Sequence, residues 1–138
     1  MAHLERAVAT LRVAGDHLDP EEVTLRLGAQ PTHSQRNGQE FRFKSGRTRV
    51  AKFGQWRLVA PDTEPEDLDH QVAELLGTLT NDLEIWRDLS SRFNVDLFCG
   101  WFMGRSNEGL TISPATLLRL GERGIELAID IYAPETDA

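Results

Sequence analysis

Val95-Asp96-Leu97-Phe98-Cys99-Gly100-Trp101-Phe102-Met103 carries apolar side chains at nearly every position. Successive side chains of a strand point to opposite faces, so Leu97, Cys99 and Trp101 stand against Phe98 and Phe102. Apolar groups on both faces predict a central strand covered on both sides. Upstream, Ala7–Val13 alternates, with Ala9, Leu11 and Val13 facing one way and Thr10 and Arg12 the other, as in a half-buried strand. Downstream, Ile125, Leu127, Ile129 and Ile131 alternate strictly in a last strand over Ile125–Tyr132. Gln55–Val59 is a further strand, ended by Pro61, and Phe41 with Phe43 marks another that Arg49–Lys52 returns. A short partner strand is expected at Leu110–Ile112.

Helices are announced by their caps. Asp19-Pro20-Glu21-Glu22 combines a capping side chain, a proline suited to the first helical turn, and Glu22 for a capping box. That helix carries Val23, Leu25 and Leu27 and stops at Gly28. Ser113-Pro114 repeats the cap, with Leu117, Leu118 and Leu120 read as inward. Between the second and third strong strands, Leu68, Val72, Leu75, Leu76, Leu79, Leu83, Trp86, Leu89 and Phe93 recur at three- and four-residue steps. Gly77 and Thr80-Asn81 weaken the middle, so the stripe predicts one long helix or two nearly collinear ones. Together the elements predict an α+β fold: a ferredoxin-like split βαβ (β-α-β-β-α-β) with an added C-terminal β-α-β unit extending a mixed sheet.

The whole is expected to be one domain over residues 1–138, with its core in about 7–132 and a frayed tail at 133–138. Its 138 residues are 40% hydrophobic, enough for a core without staples. The single cysteine excludes a disulfide scaffold, no apolar run reaches membrane-spanning length, and Glu5, Arg6 and Arg12 leave no signal-peptide core. A cytoplasmic location is expected, without contact with a membrane.

The run Val95–Phe102, with Gly109-Leu110-Thr111-Ile112-Ser113-Pro114 and Ile129-Asp130-Ile131-Tyr132, resembles the bacterial domain-of-unknown-function family numbered 4279. Asp19-Pro20-Glu21-Glu22, Pro31-Thr32 and Gly54-Gln55-Trp56 fit the same pattern, so the resemblance covers about residues 8 to 132. It implies a small bacterial α+β domain and brings no catalytic residues to carry over.

Function must therefore be sought in charge and in single residues. Residues 36–57 hold Arg36, Arg42, Lys44, Arg47, Arg49, Lys52 and Arg57 against Glu40, a count of +6; with a net charge of −7, the rest of the chain carries −13. Phe41, Phe43, Phe53 and Trp56 are interleaved with these cations. Such a segment suits an anion or single-stranded nucleic acid, but the acidic remainder repels nucleic acid at long range and disfavours that partner. The plainer reading is an exposed hairpin whose cations discourage edge pairing and meet the acids between Asp62 and Asp69. Cys99, between Leu97 and Trp101, reads as a core residue. His3, His17, His33 and His70 have no metal-ligand spacing, and no cofactor motif occurs. Asp96 and Asp130 would form a carboxylate pair if their strands place them side by side.

Two functions follow. The first is a non-enzymatic protein-binding module, inhibitor- or immunity-like, using Arg42, Lys44, Arg47, Arg49, Lys52 and Trp56. The second is a small-ligand binder or enzyme with its pocket at the Gly104–Gly109 loop, using Trp101, Arg105, Ser106 and Asn107. A homodimer, with the basic hairpin of one subunit on the acidic helix entry of another, is a third arrangement.

Overall fold

The computed structural model describes residues 6–61 and 67–134. Its elements, in chain order, are β1 (Arg6–Gly15), α1 (Pro20–Leu27), β2 (His33–Gln35), β3 (Glu40–Arg42), β4 (Thr48–Val50), β5 (Gly54–Val59), α2 (Leu68–Gly77), α3 (Leu83–Arg92), β6 (Asn94–Phe102), α4 (Pro114–Glu122) and β7 (Glu126–Tyr132). Five strands form one sheet in the order β2-β5-β1-β6-β7, and β3 with β4 makes a separate two-stranded hairpin. β1 runs antiparallel to both β5 and β6, β2 antiparallel to β5, and β7 parallel to β6. The fold is α+β with a mixed sheet, as the alternation of strand and helix patterns predicts.

The core lies on one side of this sheet. Ala9, Leu11 and Val13 of β1, Trp56 of β5 and Val95, Leu97 and Cys99 of β6 join Val23, Leu27, Leu68, Val72, Leu75, Leu76, Trp86, Leu89 and Leu120 from the helices in one buried cluster. Phe98 and Phe102 remain outside it and are half-buried. β6 is therefore an interior strand but is not covered on both sides: its second apolar face belongs to the open face of the sheet.

Capping follows the local sequence. The Asp19 carboxylate accepts from the Glu21 N–H at 3.0 Å, and Gly28 closes α1 in the left-handed region, φ 83°. The expected capping box does not form, because the Glu22 carboxylate takes Arg92 of α3 instead, at 3.0 Å. Arg92 also holds Asp88, and Asp88 holds Arg26, so a charged network staples α1 to α3. The long apolar stripe is two helices, divided at Thr78–Asp82. The Thr80 N–H donates to the Leu27 carbonyl, the Trp86 indole donates to the Thr80 carbonyl at 2.8 Å, and Asp82 caps α3. Each of these contacts gains from a broken helix.

Apolar residues on the helices do not all point inward. In α4 and its C-cap the inward positions are Thr116, Leu120 and Arg123, spaced four and three apart, while Leu117 and Leu118 are 51% and 65% exposed. Leu25 of α1 is likewise exposed, between buried Val23 and Leu27. A turn of 100° per residue places these leucines off the core-facing stripe whatever their hydrophobicity. Leu110–Ile112 forms no strand. A strand appears instead at the polar His33-Ser34-Gln35, on the edge beside β5.

Two local constraints have measurable consequences. A Cβ on Gly54 would stand 2.9 Å from the Gly15 carbonyl oxygen and 3.0 Å from Leu18 backbone and side-chain atoms. Gly54→Ala is expected to destabilise the protein by about 1–3 kcal/mol, read as a lower denaturant midpoint, because backbone must move to admit the methyl. Asp69, in the first turn of α2, accepts from the Thr116 hydroxyl at 2.7 Å and the Ser113 N–H at 3.1 Å, tying α2 to the start of α4. Partial burial pushes its carboxyl up, but the hydrogen bonds from Thr116 and Ser113 outweigh this and hold it below the ordinary value. The stabilisation is therefore present above the unfolded-state value of about 3.9 and is lost as pH falls through the lower folded value. Asp69→Asn is expected to cost about 1 kcal/mol at neutral pH. Its unfolding curve should converge on the wild type's only as pH falls below the lowered folded-state value.

Candidate functional site

The face of the sheet away from the core is ordered by charge. Cross-strand register aligns His33 of β2 with Arg57 of β5, Arg57 with Arg12 of β1, Arg12 with Asp96 of β6, and Asp96 with Glu126 of β7. Residues aligned this way share a face, so one polar row crosses all five strands, cationic toward β5 and anionic toward β7. At its centre Arg12 and Asp96 form a two-pronged pair, Nε to Oδ1 at 2.8 Å and Nη2 to Oδ2 at 2.6 Å. The guanidinium also lies 4.4 Å over the Phe98 ring. The hydrogen bond to Asp96 raises the Arg12 pKa above its ordinary value. Beside it, the buried Nε of Arg57 has no hydrogen-bond partner among the described residues.

A cavity of 390 Å³ opens on this face, lined by Arg12, Ala14, Phe53, Gln55, Asn94, Val95, Asp96 and Glu126. Phe53 comes from the segment joining β4 to β5 and is held there by the Gln35 side chain, whose Nε2 donates to the Phe53 carbonyl at 3.0 Å. Polar donors and acceptors thus surround one aromatic wall, a composition suited to recognition.

The basic segment is split between two surroundings. Arg42, Lys44, Arg47 and Arg49 belong to the β3–β4 hairpin and its turn, and Lys52 follows it; all are exposed. Arg49 lies 4.7 Å over the Phe41 ring, Phe41 stacks on His33, and Arg42 meets Glu40 at 3.6 Å. Arg36 bridges to Asp19 at 2.8 Å and Glu21 at 3.3 Å, so the acids met by this segment are those of the α1 entry. The acids at 62–66, expected to meet it, lie outside the described residues. Trp56 must be withdrawn from the surface: it is fully buried, with its indole N–H donating to Thr24 Oγ1 at 3.0 Å. Alternation places Trp56 on the core face, between outward Gln55 and Arg57, its immediate neighbours in the chain.

The second group of candidates is not brought to the cavity. Trp101 packs against the core from the helix side, its indole nitrogen buried with no hydrogen-bond partner among the described residues. Arg105, Ser106 and Asn107 are exposed in a bend. The amides of Gly104 and Arg105, which an anion would need, already donate to the Glu108 carboxylate. Cys99 is fully buried, and burial, with Asp96 nearby, pushes its thiol up to about 12, leaving it protonated at neutral pH. Asp96 and Asp130 are not paired, since Asp130 aligns with Gly100 and Asp96 is held by Arg12. Among the described residues no group of three or more His, Cys, Asp or Glu is placed to hold a metal ion, and no helix is long and apolar enough to cross a membrane.

The geometry defines a small α+β domain that carries its core on one face of a mixed sheet and a charge-ordered, partly hollow surface on the other. The chain belongs to the family described as Domain of unknown function (DUF4279), whose model matches residues 5–134. No curated protein and no solved structure matches it.

Removing one partner of the central pair leaves the other charge half-buried. Arg12→Ala and Asp96→Ala are each expected to destabilise by about 2 kcal/mol. The double variant should lose at least about 1 kcal/mol less than the two losses added, measured by denaturant unfolding as a double-mutant cycle.

Proposed function

We propose that this domain is a non-enzymatic protein-binding module, inhibitor- or immunity-like, that recognises its partner through segregated basic and acidic surfaces. The observation that carries the reading is the charge order of the open face: Arg57 and Arg12 at one end, Asp96 and Glu126 at the other. Lys44 and Arg47 at the hairpin turn extend the basic surface and form no ion pair among the described residues. Complementary charge steers encounter and fixes orientation, which a uniformly charged surface does less selectively. The ionisable groups at the centre are locked on one another, an arrangement suited to holding a shape and ill suited to exchanging protons with a substrate.

A second reading rests on the cavity. Its Gln55 and Asn94 amides, with Arg12, suit a small polar ligand carrying a carboxylate or amide. Nucleic acid is disfavoured by Asp96, Glu126 and Asp130 on the same face.

The test is capture of a partner from source-cell extract, followed by titration of the purified pair. Lys44→Glu combined with Arg47→Glu, or Glu126→Lys, is expected to weaken binding at least about tenfold. Raising salt from about 50 to about 500 mM should weaken the wild type similarly. Glu84→Lys on α3 should leave affinity unchanged. A partner indifferent to both reversals sinks the reading. Absence of any partner, together with thermal stabilisation by a small ligand that Asn94→Ala abolishes, would replace it with the second.

A further inference from the structure

The two edges of the five-stranded sheet differ in how they meet solvent. β2 is three residues long and leads into a cationic segment, a combination that resists pairing. β7 runs seven residues, Glu126–Tyr132, with no proline, glycine or lysine, and is bonded to β6 on one side only. The Met103 N–H donates to the Tyr132 carbonyl at 3.1 Å, so Tyr132 aims its backbone groups at β6. By the period of two, Asp130, Ala128 and Glu126 do the same. The N–H and C=O groups of Leu127, Ile129 and Ile131 therefore point out of the open edge. The side chains of Ile129 and Ile131 are 42% and 58% exposed, and α4, which packs on β7, adds exposed Leu117 and Leu118.

We propose that this edge pairs with β7 of a second copy of the chain, antiparallel about a two-fold axis at Ile129, joining two five-stranded sheets into one. The strand is self-complementary in that register. Ile129 is the midpoint of Glu126–Tyr132, so the full length of both strands pairs. Ile129 faces Ile129, Leu127 faces Ile131, Ala128 faces Asp130, and Glu126 faces Tyr132, so no carboxylate stands directly opposite another. The outward backbone groups of Leu127, Ile129 and Ile131 then meet their counterparts as hydrogen-bonded pairs, roughly six bonds in all. Registers centred one residue away are worse. An axis at Ala128 sets Asp130 against Glu126, and one at Asp130 sets that carboxylate against itself; neither pairs the full length of both strands. A foreign strand would need to reproduce this match, whereas a second copy supplies it by symmetry.

Sedimentation equilibrium of the full chain from about 1 to about 200 µM should show a reversible dimer in the wild type. Ile131→Lys should be monomeric across that range, with its far-ultraviolet spectrum and unfolding midpoint at low concentration unchanged. Leu25→Lys, on exposed α1 surface, should dimerise like the wild type. Ala128→Cys combined with Asp130→Cys tests the register directly: these two positions face each other across the axis as a non-hydrogen-bonded pair, about 4.5 Å apart between Cα atoms and within disulfide range. Oxidation should link this double variant into a covalent dimer, while Ala128→Cys alone should link far less. A wild type that stays monomeric, a dimer that survives Ile131→Lys, or a dimer in which the double cysteine variant fails to cross-link overturns the proposal.

Discussion

Pairing of β1 with β6 over nine positions, Arg6 against Phe102 through Ala14 against Asn94, sets everything else in the domain. β1 is the central strand of the five-stranded sheet, bonded on both sides by antiparallel neighbours, and each of its side chains is committed to a face. A slip of one residue would turn Ala9, Leu11 and Val13 toward solvent and drive Arg12 into the core. The Arg12–Asp96 pair sits within this ladder and fits a single register, so burial on one face and charge on the other specify the same alignment. β6 in turn fixes β7, and the row of charge across the open face is a direct product of that chain of registers.

Segregation of the helices to one face explains why a domain with many apolar residues still presents a wet sheet. The helix layer is joined by devices that are polar and local: Asp69 bridging α2 and α4, Arg92 bridging α1 and α3, the Thr80 N–H on the end of α1. Two of the three indoles are satisfied in the same manner, Trp56 by Thr24 and Trp86 by the Thr80 carbonyl. Each such link puts a hydrogen-bonding group where two elements must meet, and so gives the apolar packing a defined arrangement.

Strand alternation and helix caps were legible in the sequence because both depend on neighbours in the chain. β1, β6, the Asp19 and Ser113 caps and the weak point after Gly77 could all be read in this way. What escaped depends on phase or on distant partners. Leu25, Leu117 and Leu118 are helix formers by type yet sit off the buried stripe, and hydrophobicity alone does not reveal that. Polar His33-Ser34-Gln35 gives no strand pattern of its own and is a strand because β5 lies beside it. Arg12 and Asp96 are 84 positions apart in the chain, so their pairing needs the register between β1 and β6. Alternation in Gln55–Val59 already sends Trp56 and Arg57 to opposite faces, but which of those faces turns inward depends on the strands beside it.

The β3–β4 hairpin has a different relation to the rest of the chain. It forms its own two-stranded sheet, anchored where Ala51 exchanges backbone hydrogen bonds with Gly38 and Gln39; Ala51 is buried, but neither it nor any residue of the hairpin belongs to the core cluster. Substitutions at its tip are therefore uncoupled from the packing that keeps the domain folded. Divergent copies of such a domain can change the charge and length of this finger freely, exploring new contacts while the stability of the body stays constant. Innovation and structural integrity are thus assigned to separate pieces of the same short chain.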